Sequence, residues 1–313
     1  MRKIFLLACG LVALLATTAA PAGAGGHSHA EAALCGAESE FSSLSRLATS
    51  ASSTAKEWSR DAPGRTNIGG SYYDSGIAPN VPAGFTVTVP TYIHVITDGA
   101  VGNVTDAQIA KQMDVLNLSF AGFYGGADSG IRFELEGVTR TDNAAWHTMD
   151  SFADEIAAKQ ALRQGGPDAL NIYVGTAAGN LGFAYYPSIL KYNGKKYAFL
   201  DGAVIHYGSF PDGFIGNYNL GFTVTHEVGH WLGLAHTFEQ GCIGHGDYVD
   251  DTPAMSIPTS GCPVGKDSCE MKPGLDPIHN YMDYSYDTCY NQFSPGQAAR
   301  MQAQFIHFRT GRF

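Results

Sequence analysis

The stretch "THEVGHWLGLAH", residues 225–236, decides how this chain is read. On a helix, His226 and His230 stand four residues apart and project from one face, so both imidazoles can hold one metal ion. Glu227 lies beside them, cannot easily ligate the same ion, and is placed to act as a base. Gly233 lets the chain leave the helix sharply, through a φ that a residue with Cβ resists, and this returns His236 as a third imidazole. Three neutral nitrogens suit zinc and leave a position open for water. The bland alternative is a solvated histidine-rich helix. The His-Glu-x-x-His pair alone can arise by chance, but the added glycine and histidine at fixed spacing make coincidence far rarer.

The signature H-E-x-x-H-x-x-G-x-x-H with a downstream Met-turn is that of the metzincins, and its second half stands here as "HNYMDYS", residues 279–285. "HEVGHWLGLAHTF", "GDYVDDTP" and "LDPIHNYMDYSYDTCYNQFSPGQ", with their spacing, resemble the pappalysin (cytophagalysin) family of secreted zinc endopeptidases. The resemblance covers roughly residues 80–313 and is most specific from 222 onward. It implies an α+β, metzincin-like catalytic domain: a mixed twisted sheet with packed helices above a zinc cleft, and a smaller irregular, disulfide-stapled C-terminal subdomain ending in a helix.

For the site, the resemblance implies zinc on His226, His230 and His236. Glu227 would take the proton of the zinc-activated water and later pass it to the leaving amine. Met282 would form the apolar floor beneath the histidines. Tyr284 would ligate zinc at rest and swing to stabilise the oxyanion, a kind of donor whose loss usually costs about 3 kcal/mol. The bland reading of Tyr284 is a packed core tyrosine. The extended substrate would pair with a short edge strand in "NLGFAYYPS", residues 180–188, ended by proline. Enzymes of this type that cut before basic residues carry a carboxylate immediately before the last cysteine. Here that position is Thr288, with Asp287 one residue earlier, which argues against a basic preference.

Cys242, Cys262, Cys269 and Cys289 can pair in three ways, and an oxidising compartment favours two disulfides. The family pattern implies Cys242 with Cys269 and Cys262 with Cys289, each worth roughly 2 to 4 kcal/mol in the loop-entropy account. A cysteine zinc site would want a CxxC pair, and none exists. Asp247, Asp250 and Asp251, with nearby carbonyls, offer a hard cation a site, and the resemblance favours structural calcium there, outside any EF-hand pattern.

Export is read from the first residues: "MRK" is a positive n-region, "IFLLACGLVALLATTAA" an apolar core and "APAGAG" a set of small residues suited to a signal peptidase. Cleavage is expected after Ala22 or Ala24, which removes Cys9 and gives a signal peptide at 1–24. A lipoprotein reading of "LLACG" is the poorer alternative, because such a cysteine would follow the apolar core, whereas Cys9 sits in its first half. Residues 25–78 are short of large aliphatics and rich in Ala, Ser and Gly, as expected of a pro-segment, with the catalytic domain at 79–313. Cys35 is then the odd thiol of a secreted chain. A thiolate is a good soft ligand, so Cys35 is expected to silence the zinc in a zymogen. His27 and His29 read as solvated.

From residue 85 onward, "FTVTVPTYIHVITDG" and "IRFELEGVTRT" alternate as strands, and "ALNIYVGTA" and "DGAVIHYGS" read as buried strands. Thr105 and Gln108 form a capping box before a helix whose Ile109, Met113, Leu116 and Phe120 recur at helical spacing. "SFADEIAAKQALRQ" reads as a second helix, and Ser294 caps a last one, "GQAARMQAQFIHF". After residue 240 little periodicity remains.

With 44% hydrophobic residues in 313, the chain can bury a real core; its formal charge of −10 argues against nucleic-acid or anionic-membrane partners. The expected partners are protein or peptide substrates in extended form, with no membrane after signal cleavage, and the expected state is a monomer. The functional expectation is a secreted zinc endopeptidase. The alternative is a silent zinc-containing adhesion or binding module, which would have no need for a base such as Glu227 beside its metal.

Overall fold

The computed structural model describes residues 81–190 and 195–310. The signal peptide, the pro-segment with Cys35, His27 and His29, and the last three residues lie outside the described residues. Five strands form one sheet: β1 (Val87–Thr97), β2 (Ile131–Asp142), β3 (Leu170–Gly175), β4 (Gly182–Ala184) and β5 (Ala203–His206). Their order is β2-β1-β3-β5-β4. The first four are parallel, and β4 runs antiparallel to β5 at the edge. The expected mixed sheet is therefore present. The expected strand over 180–188 shrinks to three residues, because Pro187 starts a 3-10 turn at Pro187–Leu190.

Helix α1 (Asp106–Phe120) makes the crossover between β1 and β2. The capping box forms: the Gln108 amide donates to Thr105 Oγ1 at 3.2 Å, and the Thr105 amide donates to Gln108 Oε1 at 3.1 Å. Ile109, Met113, Leu116 and Phe120 are all buried, as their spacing requires. Helix α2 (Ala144–Thr148) is short and capped by Asn143, and no periodicity announces it. Helix α3 (Phe152–Leu162) follows, then α4 (Phe222–Trp231) and, after a long irregular stretch, α5 (Pro295–Arg309).

The sheet's alternation sorts two apolar layers. Ile172, Val174 and Ile205 face a core shared with α1, α4, Met282 and Phe293. Tyr173, Val204 and Phe183 face the opposite side, with Ala158 of α3.

The irregular stretch carries the disulfides Cys242–Cys269 and Cys262–Cys289. This is the pairing that the resemblance implies. Helix α5 closes on α4 through Arg309, whose guanidinium lies 3.3 Å from the centroid of Trp231, donates to the Trp231 carbonyl at 2.7 Å and pairs with buried Asp201. Such a paired buried charge fixes geometry at the end of α4. No helix among the described residues is long and apolar enough to cross a membrane.

Candidate active site

Every residue of α4 is buried, so its polar side chains need internal partners. His226 Nδ1 donates to the Tyr281 carbonyl at 2.6 Å, and His230 Nδ1 donates to the Leu234 carbonyl at 2.7 Å. These bonds fix the tautomers and leave both Nε2 atoms as lone pairs. Gly233, at φ +91°, turns the chain out of the helix, and a Cβ there would meet Gln304 Cγ at 2.7 Å. The turn returns His236 as the spacing predicts, with His230 Nε2 3.1 Å from His226 Nε2 and 3.0 Å from His236 Nε2.

Burial, reinforced by the neighbouring histidines, pushes His226 down to about 3 and His230 well below its ordinary value. Neutral, buried nitrogens converging at such distances repel one another unless a cation sits among them. The three residues fit a divalent metal with nitrogen ligands.

Met282 lies directly under the helix, since a Cβ on Gly229 would come 2.5 Å from its Sδ. The turn that carries it is held by Asn280. Its Oδ1 accepts the Met282 amide at 2.9 Å, and its carboxamide exchanges two hydrogen bonds with Gln297 in the first turn of α5. The sequence signals neither role: Gln297 stands in the first turn of the helix that Ser294 caps, and Asn280 is one residue of "HNYMDYS". Tyr284 is half-buried, with its ring 5.8 Å from that of His226 and 5.0 Å from that of His236. Phe238, also missed, stacks on His236 at 4.6 Å and meets Tyr284 edge-on. The "HTF" ending of the zinc-ligand stretch was its only signal.

A cleft beside these groups is lined by Leu181, Tyr218, Thr223, Glu227, Tyr284 and Asp287. Thr288, the position expected to matter for a basic preference, is exposed, while Asp287 is buried in the cleft wall. Its Oδ2 accepts the Leu220 amide at 2.8 Å, and its Oδ1 has no hydrogen-bond partner. Burial pushes its carboxyl up to about 7, against the pull of the Leu220 and Phe222 amides. Of the two positions, Asp287 therefore lines the cleft and Thr288 does not.

The three candidate calcium ligands separate. Asp251 accepts Ser294 Oγ and the Gly296 amide, at 2.6 and 2.7 Å, at the start of α5. Asp250 is exposed, and Asp247 is buried, accepting the Val249 amide and Thr252 Oγ1. The three carboxylates do not converge, so the expected calcium ligand set is not assembled from these side chains.

The model of a family described as peptidase M43, pregnancy-associated plasma protein-A, matches residues 169–306. An extracellular metalloprotease of Pyricularia oryzae is 48% identical over 231 residues, which cover 72% of this chain and 77% of that protein. One of Colletotrichum graminicola is 47% identical over 232 residues, covering 73% and 79%. Among solved structures, mature mirolysin of Tannerella forsythia in complex with a cleaved peptide matches with a TM-score of 0.60 and 32% identity, covering 71% of this chain and 92% of its own. A mutant of promirolysin matches with a TM-score of 0.65 and 28% identity, covering 87% and 93%. With this relationship and the three-histidine centre, the chain belongs to the M43, or pappalysin, family of secreted metzincin-type metalloproteases.

Proposed function

We propose that this extracellular metalloprotease is a zinc endopeptidase that binds substrates in extended form and prefers a basic residue after the scissile bond. The observation that carries the preference is Asp287: a buried carboxylate with one unpartnered oxygen, in the same cleft as Glu227 and Tyr284. A buried charge without a partner is costly, and an arginine or lysine side chain of the substrate would supply both the opposite charge and the missing donor.

His226, His230 and His236 would hold the metal. When bound, zinc supplies Lewis acidity toward a water and the scissile carbonyl. Glu227 takes up the proton of the attacking water and returns it to the leaving nitrogen. The Tyr284 hydroxyl donates to the oxyanion as charge develops. The unpaired edge of β4 offers backbone groups to an extended peptide, in line with the peptide-bound state of mirolysin. Cys35 is our candidate for the ligand that silences the metal before maturation. The relatives are named for proteolysis, and the silent-module alternative has no observation in its favour.

The test is casein cleavage with and without a zinc chelator, followed by profiling on a peptide library. Activity lost on chelation, restored by zinc and concentrated before Lys and Arg is the expected result. Cleavage indifferent to chelation overturns the zinc reading, and a flat profile after the scissile bond overturns the role of Asp287.

A further inference from the structure

Gly182 opens the edge strand β4 and pairs with Ile205 of β5. Its φ lies outside the left-handed region, so its backbone conformation does not call for glycine. The space does. A Cβ on Gly182 would stand 2.7 Å from Glu227 Cγ and 2.9 Å from Oε1, closer than packed atoms tolerate, and 3.1 Å from Cδ, tighter than ordinary contact.

The strand cannot retreat from such a collision. Strand alternation sends Phe183 to the opposite face, where its ring lies 5.5 Å from Lys159 Nζ, and the Tyr185 ring lies 4.6 Å from the same ammonium. That ammonium is fully buried, pairs with Glu155 at 2.6 Å and donates to the Leu200 carbonyl at 2.9 Å, while Glu155 accepts the Tyr185 hydroxyl at 3.2 Å. In front, the His206 amide donates to the Leu181 carbonyl at 2.8 Å. Helix α4 is equally fixed, by Met282 beneath it and Arg309 at its end. Of the groups around Gly182, the carboxylate arm of Glu227 is the one that would yield.

We propose that Gly182 is a positioning residue for the general base: its missing side chain is the volume in which the Glu227 carboxylate is held. The strand that offers its edge to the substrate thereby also sets the rotamer of the group that activates water. Peptide and base are aligned by one element. This rests on Glu227 being the base, a reading that Glu227→Ala tests separately.

The experiment compares Gly182→Ala in the native chain and in a Glu227→Ala background, where Cγ and the carboxylate are gone. In the native background kcat is expected to fall at least about tenfold, with KM within about twofold and zinc content unchanged, since the binding edge and the ligands are untouched. The melting temperature is expected to drop in the native background and to stay level in the Glu227→Ala background. If Gly182→Ala fails to fold alone but folds with Glu227→Ala, the contact is the cause and the proposal stands. A kcat within about twofold of the native value overturns it. So does an equal loss of melting temperature in both backgrounds, or failure of both chains to fold.

Discussion

The Leu220 amide donates to Asp287 Oδ2 at 2.8 Å, tying the loop after the Met-turn to the segment that leads into α4. The bond holds the carboxylate in the cleft wall, with Oδ1 buried and without a hydrogen-bond partner. Burial raises this carboxyl to about 7, so in the unliganded enzyme it gains its charge as pH rises through that value. Cleavage before Lys or Arg is expected to rise through the same window. Asp287→Asn should lower kcat/KM for these substrates by about tenfold or more and remove that limb of the pH profile. Equal losses for basic and neutral residues at that position would mark Asp287 as merely structural.

Glu227→Ala is expected to keep fold and metal content while proteolysis falls by several orders of magnitude, because the base acts only in turnover. Residual activity above about a tenth of native would remove Glu227 from that role.

Tyr284→Phe removes a hydroxyl and leaves the ring contacts with His236 and Phe238 in place. A donor to the oxyanion acts mainly in the transition state, so kcat should fall by about a hundredfold with little change in KM. A change confined to KM would assign Tyr284 to substrate binding or packing.

Asp247 provides a test in stability. Burial raises its carboxyl from 3.8 to about 7, so the folded state binds a proton more tightly than the unfolded chain does. The stability this contributes is full below about pH 4 and is lost as pH rises through about 7. Asp247→Asn keeps an acceptor for Val249 and Thr252 and carries no charge. Its melting temperature should match the native protein at low pH and exceed it above pH 7. A variant less stable at pH 8, with the loss reproduced by chelating calcium from the native protein, would instead mean a charged, cation-bound carboxylate.

The zymogen reading predicts that full-length Cys35→Ser is active or self-processing where the native chain is latent. Equal latency of the two proteins would assign inhibition to some other contact of the pro-segment.

The metal centre was legible in the sequence because its information is local. His226 and His230 share a face by helical period, and Gly233 returns His236 within six residues, so spacing alone dictates convergence. The capping boxes at Thr105 and Ser294 and the buried strand at β3 were legible for the same reason, since each rests on neighbours within a few positions. The short strand β4 and helix α2 carry too few residues for a period to show.

What only the tertiary structure decided lies between segments far apart in the chain. Asp287 rather than Thr288 faces the cleft because Leu220, 67 residues earlier, holds it there. Asp251 serves the start of α5 because Ser294 and Gly296 come to it across more than forty residues. Gly182 matters because a helix forty-five positions later brings Glu227 against it. Periodicity and capping are properties of a few consecutive residues, whereas these contacts follow from how the sheet, α4 and α5 close on a shared core.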